Sequence, residues 1–451
     1  MFKRFVIWLL TISLVIIAVG CTSINQQSQS TLSNLLITPD SSGGIFAAYR
    51  LVGTTGDNSV KLQRINSEGT TAWNSTLYET DNSRVNIMEM IKGTSNEVLI
   101  GWDVLNPEDG NNGLYRFEHS SLAKVDSRGQ IQWNKNYSEE GMQIVADSMG
   151  GAIVAWVTGG NFHALHLDAQ GNELWNSPIG KSGEGLKLAS NENGESFFLW
   201  DNSENPYFVV QKLGADGAAL WGQEGMPEGV RIKYLATNLQ QQPQITSDGE
   251  GGAIITWAEV LEQQASYVWI LKISANGRVL WYTPVHELAA TVHPKTEVVS
   301  DDSGGGIIVW EDHRQEMAIY AQKVDAEGQV MWQKNGLPII TDLPQQSPQF
   351  EAVSDGTGGA IISWIDGDGK LYVQNIDAVG NKKWGEAGLL VANSAAGIPI
   401  KLIKTNSGEI ILGWLTGNTD RLQDAFVQKI DTIGKPLWGA EGIKLNQLEG
   451  H

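Results

Sequence analysis

The chain has 451 residues with 51 acidic against 31 basic side chains, a formal net charge of −20, a single cysteine and 17 tryptophans. An acidic balance of this size argues against nucleic acid and against docking on anionic lipid. A lone cysteine allows no internal disulfide, so a chain of this length has to be held by a packed core.

Residues 1–20 read as a targeting segment outside the fold. Lys3 and Arg4 give a positive start, and Phe5 to Val19 is a mostly apolar run of signal-sequence length. The run stops at Ala18-Val19-Gly20-Cys21. This resembles a bacterial lipoprotein signal, in which a peptidase cuts before the cysteine and the thiol carries diacylglycerol. Ala18 stands where Leu is more usual, and a plain secretory signal with an incidental cysteine is the alternative. The resemblance makes Cys21 a lipidation site carrying palmitate-like chains, each buried methylene contributing about 0.8 kcal/mol to anchoring. Cleavage would remove Lys3 and Arg4 and leave a net charge of −22. Residues 21–33 are polar, without apolar periodicity, and read as a flexible tether. No later stretch approaches 18 continuous apolar residues.

Residues 34–446 are repetitive. A glycine stands four residues before a tryptophan eight times: Gly69/Trp73, Gly129/Trp133, Gly171/Trp175, Gly217/Trp221, Gly277/Trp281, Gly328/Trp332, Gly380/Trp384 and Gly434/Trp438. Most follow an apolar-Asp turn, with Asn66, Gly214 or Ser274 replacing the Asp in three. A second landmark lies upstream, as in Gly-Gly-Ala-Ile-Ile-Thr-Trp257 and Gly-Gly-Gly-Ile-Ile-Val-Trp310. Its continuous Ile/Val run behind a glycine turn predicts a strand buried on both faces. Two further runs per unit, such as Pro243–Thr246 and Leu371–Ile376, make four short strands joined by Asp/Gly/Ser turns. Four-stranded antiparallel units at a period of roughly 40–60 residues predict an all-β, eight-bladed β-propeller; a seven-bladed ring with one degenerate unit is the alternative. The predicted blades run 34–80, 81–140, 141–180, 181–230, 231–290, 291–340, 341–392 and 393–446, followed by a tail at 447–451. Blade 1 packing on blade 8 is expected to close the ring.

The motif resembles the tryptophan-docking motif of the PQQ-like eight-bladed propellers, most closely in Gly434-Lys-Pro-Leu-Trp438. The turn here is one residue shorter than that family's Asp-x-x-Thr-Gly. The longer phrase from Gly304 to Trp332 looks like repeats of many uncharacterised bacterial surface proteins. The resemblance covers residues 34–446 and implies a fold more than an activity, because propellers host many functions.

Chemistry-bearing clusters are few. Quinoprotein dehydrogenases of this fold hold PQQ beside calcium, often with a vicinal Cys-Cys pair that one cysteine cannot form. The sialidase-type box spaces its Gly and Trp by three, against four here. His163 and His166 sit at i, i+3, on opposite faces of a strand, and the histidines read as surface residues. Asp366-Gly-Asp-Gly-Lys370 opens like a calcium loop but reads as a tight hairpin. Glu311-Asp-His-Arg314 reads as turn capping, with Arg314 expected to pair with a neighbouring loop. Gln63, Gln211, Gln322, Gln374 and Gln428 recur at one strand position and predict an inter-strand hydrogen bond. Sampled first strands (Leu36-Ile-Thr, Gln143-Ile-Val, Leu186-Lys-Leu, Glu297-Val-Val) show no acidic ring for the central channel. No catalytic residue, metal site or cofactor is therefore expected.

Loops that differ between blades point to recognition. Tyr115 and Phe117 follow the long blade 2 loop, and Tyr267 and Trp269 the blade 5 variant; these four are the candidate interaction residues. The expectation is a non-enzymatic, monomeric lipoprotein outside the cytoplasmic membrane that binds a protein or an envelope glycan. It would be similar in logic to the propeller lipoprotein of the barrel-assembly machinery. A carbohydrate- or alcohol-acting enzyme with a site in the funnel is the alternative.

Overall fold

The computed structural model describes residues 31–53, 57–108, 114–181, 183–202, 207–222, 229–234, 243–261, 265–288, 294–314, 316–343, 349–395, 401–418 and 421–445. The lipidation candidate Cys21 and the tail 447–451 lie outside them. The 32 strands form eight four-stranded antiparallel sheets, each made of four consecutive strands. The blades span residues 31–80, 84–137, 143–181, 184–233, 244–288, 296–343, 350–392 and 401–444. The innermost strand of every blade touches that of the next, and the last touches the first, so the ring is closed and eight-bladed. Blade 8 meets blade 1 by direct packing, with no strand exchanged among the described residues. The first strand starts at Thr31, inside the segment read as tether, because Leu32 is buried against blade 8.

The second strand of each blade is the core. Gly306–Asp312 is buried at every residue, and its apolar run through Trp310 fits a strand that neighbouring blades cover on both faces. The Gly-x-x-x-Trp motif works between blades. Trp73 lies under Gly129, Trp133 under Gly171, Trp175 under Gly217, Trp221 under Gly277, Trp281 under Gly328, Trp332 under Gly380, Trp384 under Gly434, and Trp438 closes the circle under Gly69. These eight glycines have φ between +79° and +92°, and a Cβ on any of them would come within 2.7–3.2 Å of the indole. Only glycine meets both demands. Seven of the indoles donate Nε1–H to the backbone carbonyl two residues before that glycine, at 2.7–3.2 Å. Trp384 is the exception, its buried Nε1 having no partner.

Blades 4, 6, 7 and 8 differ from the rest. After one bridge the chain leaves the sheet and returns later as the outermost strand. Gln211, Gln322, Gln374 and Gln428 support that detour: each accepts the backbone N–H of the following docking tryptophan at 2.9–3.3 Å. In these four blades the recurrent glutamine thus holds a break in strand pairing, whereas Gln63, in a blade without the break, donates to Thr71 Oγ1 of the next strand at 2.7 Å.

A row of basic side chains, buried or half-buried, follows that position. Arg64, Lys124, His166, Lys212, Lys272, Lys323 and Lys429 each pair with an acid of their own blade: Asp40, Glu97, Asp147, Glu195, Asp248, Asp301 and Glu409. Each also bonds a backbone carbonyl of the next blade, as Lys429 does with Gly43 O across the closing seam at 2.9 Å. The acid comes from either of two turn positions. Where Asp opens the turn, the fifth residue is Gly, because a Cβ at Gly252 would lie 2.1 Å from Ile273 O. Where Asp is missing, as at Thr405, a Glu at the fifth position takes its role. Blade 7 has Asn375 in place of the cation, its buried Oδ1 unpartnered. The 7–8 interface therefore lacks both the indole hydrogen bond and the cation. His166, read as a surface residue, is fully buried because it is this cation's counterpart in blade 3.

Candidate functional site

Strand register brings one residue per blade to the same level of the central channel: Leu36, Glu89, Gln143, Lys187, Gln244, Glu297, Glu351 and Lys401. The channel thus carries a mixed ring with three glutamates, which corrects the expectation drawn from four sampled strands; Glu89 and Glu351 lie on strands outside that sample. Two residues further along each strand, Ile91, Val145, Val299, Val353 and Ile403 form an apolar collar with Thr38, Ala189 and Thr246. Beyond it the mouth opens into a polar depression of about 560 Å³ lined by Ser148, Ser190, Glu192, Ser247, Ser300 and Asp302.

The innermost strand is an edge whose free amides and carbonyls point at the channel, and the ring side chains satisfy part of that edge. Glu297 accepts the Ala352 amide of blade 7 at 2.8 Å and pairs with Lys295 at 2.7 Å. Glu351 accepts the Leu402 amide of blade 8 at 2.8 Å and pairs with Lys401 at 3.3 Å. Gln143 donates to Leu186 O of blade 4. Both oxygens of Glu297 and of Glu351 are thus engaged by neighbouring strands and lysines. Burial raises the Glu297 carboxyl above the usual range, against the pull of Lys295.

Glu89 is exposed to the channel, at the level where the ring of inner strands encloses it. Burial holds its carboxyl above the ordinary value, outweighing the opposing fields of Lys401 and Lys187. An acid whose folded-state pKa is raised contributes stability that is complete below its unfolded value, about 4.3, and is lost as pH rises through the folded one. Glu89→Gln is therefore expected to melt higher than the parent at pH 7, the two curves converging below about pH 4. Melting temperature followed from pH 4 to 8 checks this; a lower melting point at pH 7 would show that the lysines over-compensate burial.

The candidate interaction residues form two separate groups, on blades 2 and 5. Blades 3 and 4 stand between them. In blade 2 the hairpin Val98–Pro107/Tyr115–Val125 is long, with Leu114 and Tyr115 exposed at its end and Phe117 half-buried beside a depression of about 590 Å³. In blade 5, Tyr267 bonds Glu287, a contact that raises its phenol pKa. Trp269 stacks on Tyr282 at 4.4 Å and faces Trp257 across the sheet. This cross-strand stack recurs in Trp156/His163, Trp310/Tyr320, Trp364/Tyr372 and Trp414/Phe426. Trp269 is thus part of the blade architecture, a role that the sequence hid because its partner type varies.

The two faces of the ring differ for a physical reason. Turns between strands one and two, and after strand three, are short and most are capped by Asp or Asn: Asp248 Oδ1 accepts two backbone amides, as do Asp126 Oδ1 and Asp431 Oδ1. The opposite face carries the hairpins of unequal length. Arg314 pairs with Asp312 of its own turn and donates to Asn335 O in the neighbouring loop of the same blade, as expected of a residue that ties its turn to the next loop. Asp366 Oδ1 accepts the amides of Asp368 and Lys370, closing a hairpin turn. Among the described residues, no three or more His, Cys, Asp or Glu side chains are placed to hold a metal ion.

No family model matches the chain. No curated protein matches it either. Similar solved structures include a eukaryotic initiation factor (8% identical, covering 90% of this chain and 86% of that one, TM-score 0.48). A protein from Lactobacillus plantarum is 14% identical, covering 75% and 94%, with a TM-score of 0.40. TolB from Acinetobacter baumannii is 11% identical, covering 80% of each chain, with a TM-score of 0.34. Similarity at this level brings no activity, ligand or partner to the chain.

Proposed function

We propose that the chain is a lipid-anchored, extracytoplasmic propeller scaffold that binds a protein or an envelope polymer through its hairpin face and catalyses no reaction. The observation that carries the reading is the blade 2 hairpin, whose strands are long and which exposes Leu114 (54%) and Tyr115 (41%) on a closed ring. Large apolar side chains exposed at the end of a projecting element suit recognition. Two of the three channel glutamates support the same reading. Hydrolysis by two carboxylates needs one to give and one to take a proton, and Glu297 and Glu351 are both tied to backbone amides and lysines.

The test is affinity capture of the full chain from its own cross-linked membranes, with Cys21→Ala and a Leu114→Asp/Tyr115→Ala double variant as controls. The reading expects one partner that is enriched reproducibly, weakened by Cys21→Ala and lost with the hairpin variant. Partner recovery unchanged by the hairpin variant would remove the hairpin from the interface. Absence of any enriched protein or glycan would overturn the scaffold reading.

A further inference from the structure

The aromatic pairs that cross the second and third strands face the preceding blade, and at the 6–7 and 7–8 interfaces they border a groove. In blade 6 the corresponding space is filled from within. Arg314 lies over the ring of Tyr320 at 3.9 Å, its Nε donates to Asp312 Oδ1 at 2.9 Å, and its Nη2 reaches both Asp312 Oδ2 and Asn335 O. One planar guanidinium thus meets an aromatic face, a carboxylate and a backbone carbonyl, the three partners that its fork and delocalised charge suit. The local fields agree: burial alone would raise the Asp312 carboxyl, but its bonds from Arg314 and Trp310 hold it below the usual range.

Blade 7 repeats the parts and omits the arginine. Trp364, Asp366 and Tyr372 take the places of Trp310, Asp312 and Tyr320. Ala387, one residue before the glycine that packs on Trp364, takes the place of Asn335. Arg314, two residues after the turn Asp, is replaced by Asp368. The space left open is about 310 Å³, walled on the blade 6 side by Ile340 to Leu343. Asp366 uses Oδ1 for its turn, and among the described residues its Oδ2 receives no counterpart of the bonds that Trp310 and Arg314 make to Asp312 Oδ2. Asp342 and Asp368 add two more negative charges at the rim, where Lys370 pairs with Asp368 at 3.1 Å.

We infer that the groove between blades 6 and 7 is a binding site for a guanidinium group, supplied by an arginine side chain of a protein partner. The occupant is fixed by the neighbouring blade, where the same three contacts close on arginine, and by the excess of carboxylates around an aromatic face. A neutral sugar could use the ring but would leave the charge uncompensated, and an anion would be repelled. The inference needs neither the lipid anchor nor the blade 2 hairpin.

The test uses the full chain in a neutral detergent, titrated calorimetrically with the capped peptide acetyl-Gly-Arg-Gly-amide and with its citrulline and lysine analogues. The arginine peptide is expected to bind at one site, at least tenfold more tightly than the citrulline or the lysine peptide. Asp366→Asn keeps an oxygen for the turn amides and is expected to weaken binding at least tenfold. Asp368→Arg restores the blade 6 arrangement; it is expected to abolish peptide binding while leaving the melting temperature equal or higher. Equal affinity for citrulline or lysine would overturn the assignment, as would full binding by a folded Asp368→Arg chain.

Discussion

Replacing Trp438 with alanine is expected to cost about 3–5 kcal/mol, the range for removing a buried tryptophan, and to do more to cooperativity than the same change elsewhere in the ring. Trp438 is 5% exposed, lies under Gly69 of blade 1 and donates to Ser67 O at 3.1 Å. Its neighbours Ile443 and Leu445 complete a cluster shared with Leu32, Leu35 and Ile45. Every other interface is also crossed by the polypeptide itself, which holds the two blades at high effective concentration when a contact is lost. Among the described residues the 8–1 seam has no such linker, so side-chain packing, the Trp438 bond to Ser67 O and the Lys429 bond to Gly43 O close it. A repeat array stabilised by nearest-neighbour contacts loses cooperativity when its ring opens. Denaturant unfolding of Trp438→Ala is therefore expected to show a lower m-value, with early proteolysis in blade 1. Trp221→Ala, which removes an equivalent indole between blades 4 and 5, is the control and should keep a single transition. Identical unfolding of the two variants would show that closure needs no special support at this seam.

The same geometry shows what could be read from the amino acids and what could not. Spacing and turn chemistry revealed the blades, because each Gly-x-x-x-Trp unit and each Asp-capped turn is a local pattern. The direction of docking was hidden. Gly129 lies four residues before Trp133 but packs on Trp73, and a periodic chain offers both partners at every unit. The channel ring was hidden for a different reason. Its members lie on the least patterned strand of each blade, which is also the shortest in blades 3, 5 and 6, and Glu89 and Lys187 each follow a register shift that displaces them from simple alternation. The cations were visible as residues but not as a set. A lysine after Gln322 or Gln428 reads as a half-exposed strand position until the next blade is in place to bury it. The empty arginine cradle of blade 7 became legible only by superposing its register on that of blade 6, since the two hairpins differ in length.

Lys272→Met is the second large effect, expected to cost about 3–5 kcal/mol, the range for stranding one member of a buried ion pair. Lys272 Nζ sits 3.4 Å from Asp248 and 2.9 Å from Glu250, and it donates to Gly304 O of blade 6 at 2.7 Å. Asp248 is almost completely buried and its Oδ1 already accepts two turn amides, so without the lysine its charge faces the apolar interface alone. The double variant Lys272→Met/Asp248→Asn is therefore expected to recover much of the loss, because it removes the orphaned charge and keeps the turn cap. Burial lowers the Lys272 pKa but its bonds to Glu250 and Asp248 raise it further, leaving it above the ordinary value. Its contribution is accordingly complete below the unfolded value, about pH 10.4, and is lost as pH rises through the folded one, a loss that Lys272→Met should not show. Blade 7 offers the converse. Asn375→Lys would place an ammonium opposite Asp355 and the blade 8 turn, filling the one gap in the row, and should raise the melting temperature. Chemical denaturation of the four chains at pH 7 decides the matter. A Lys272→Met chain as stable as its parent, or a double variant no better than the single, would show that the cations merely fill space between blades and do not lock them.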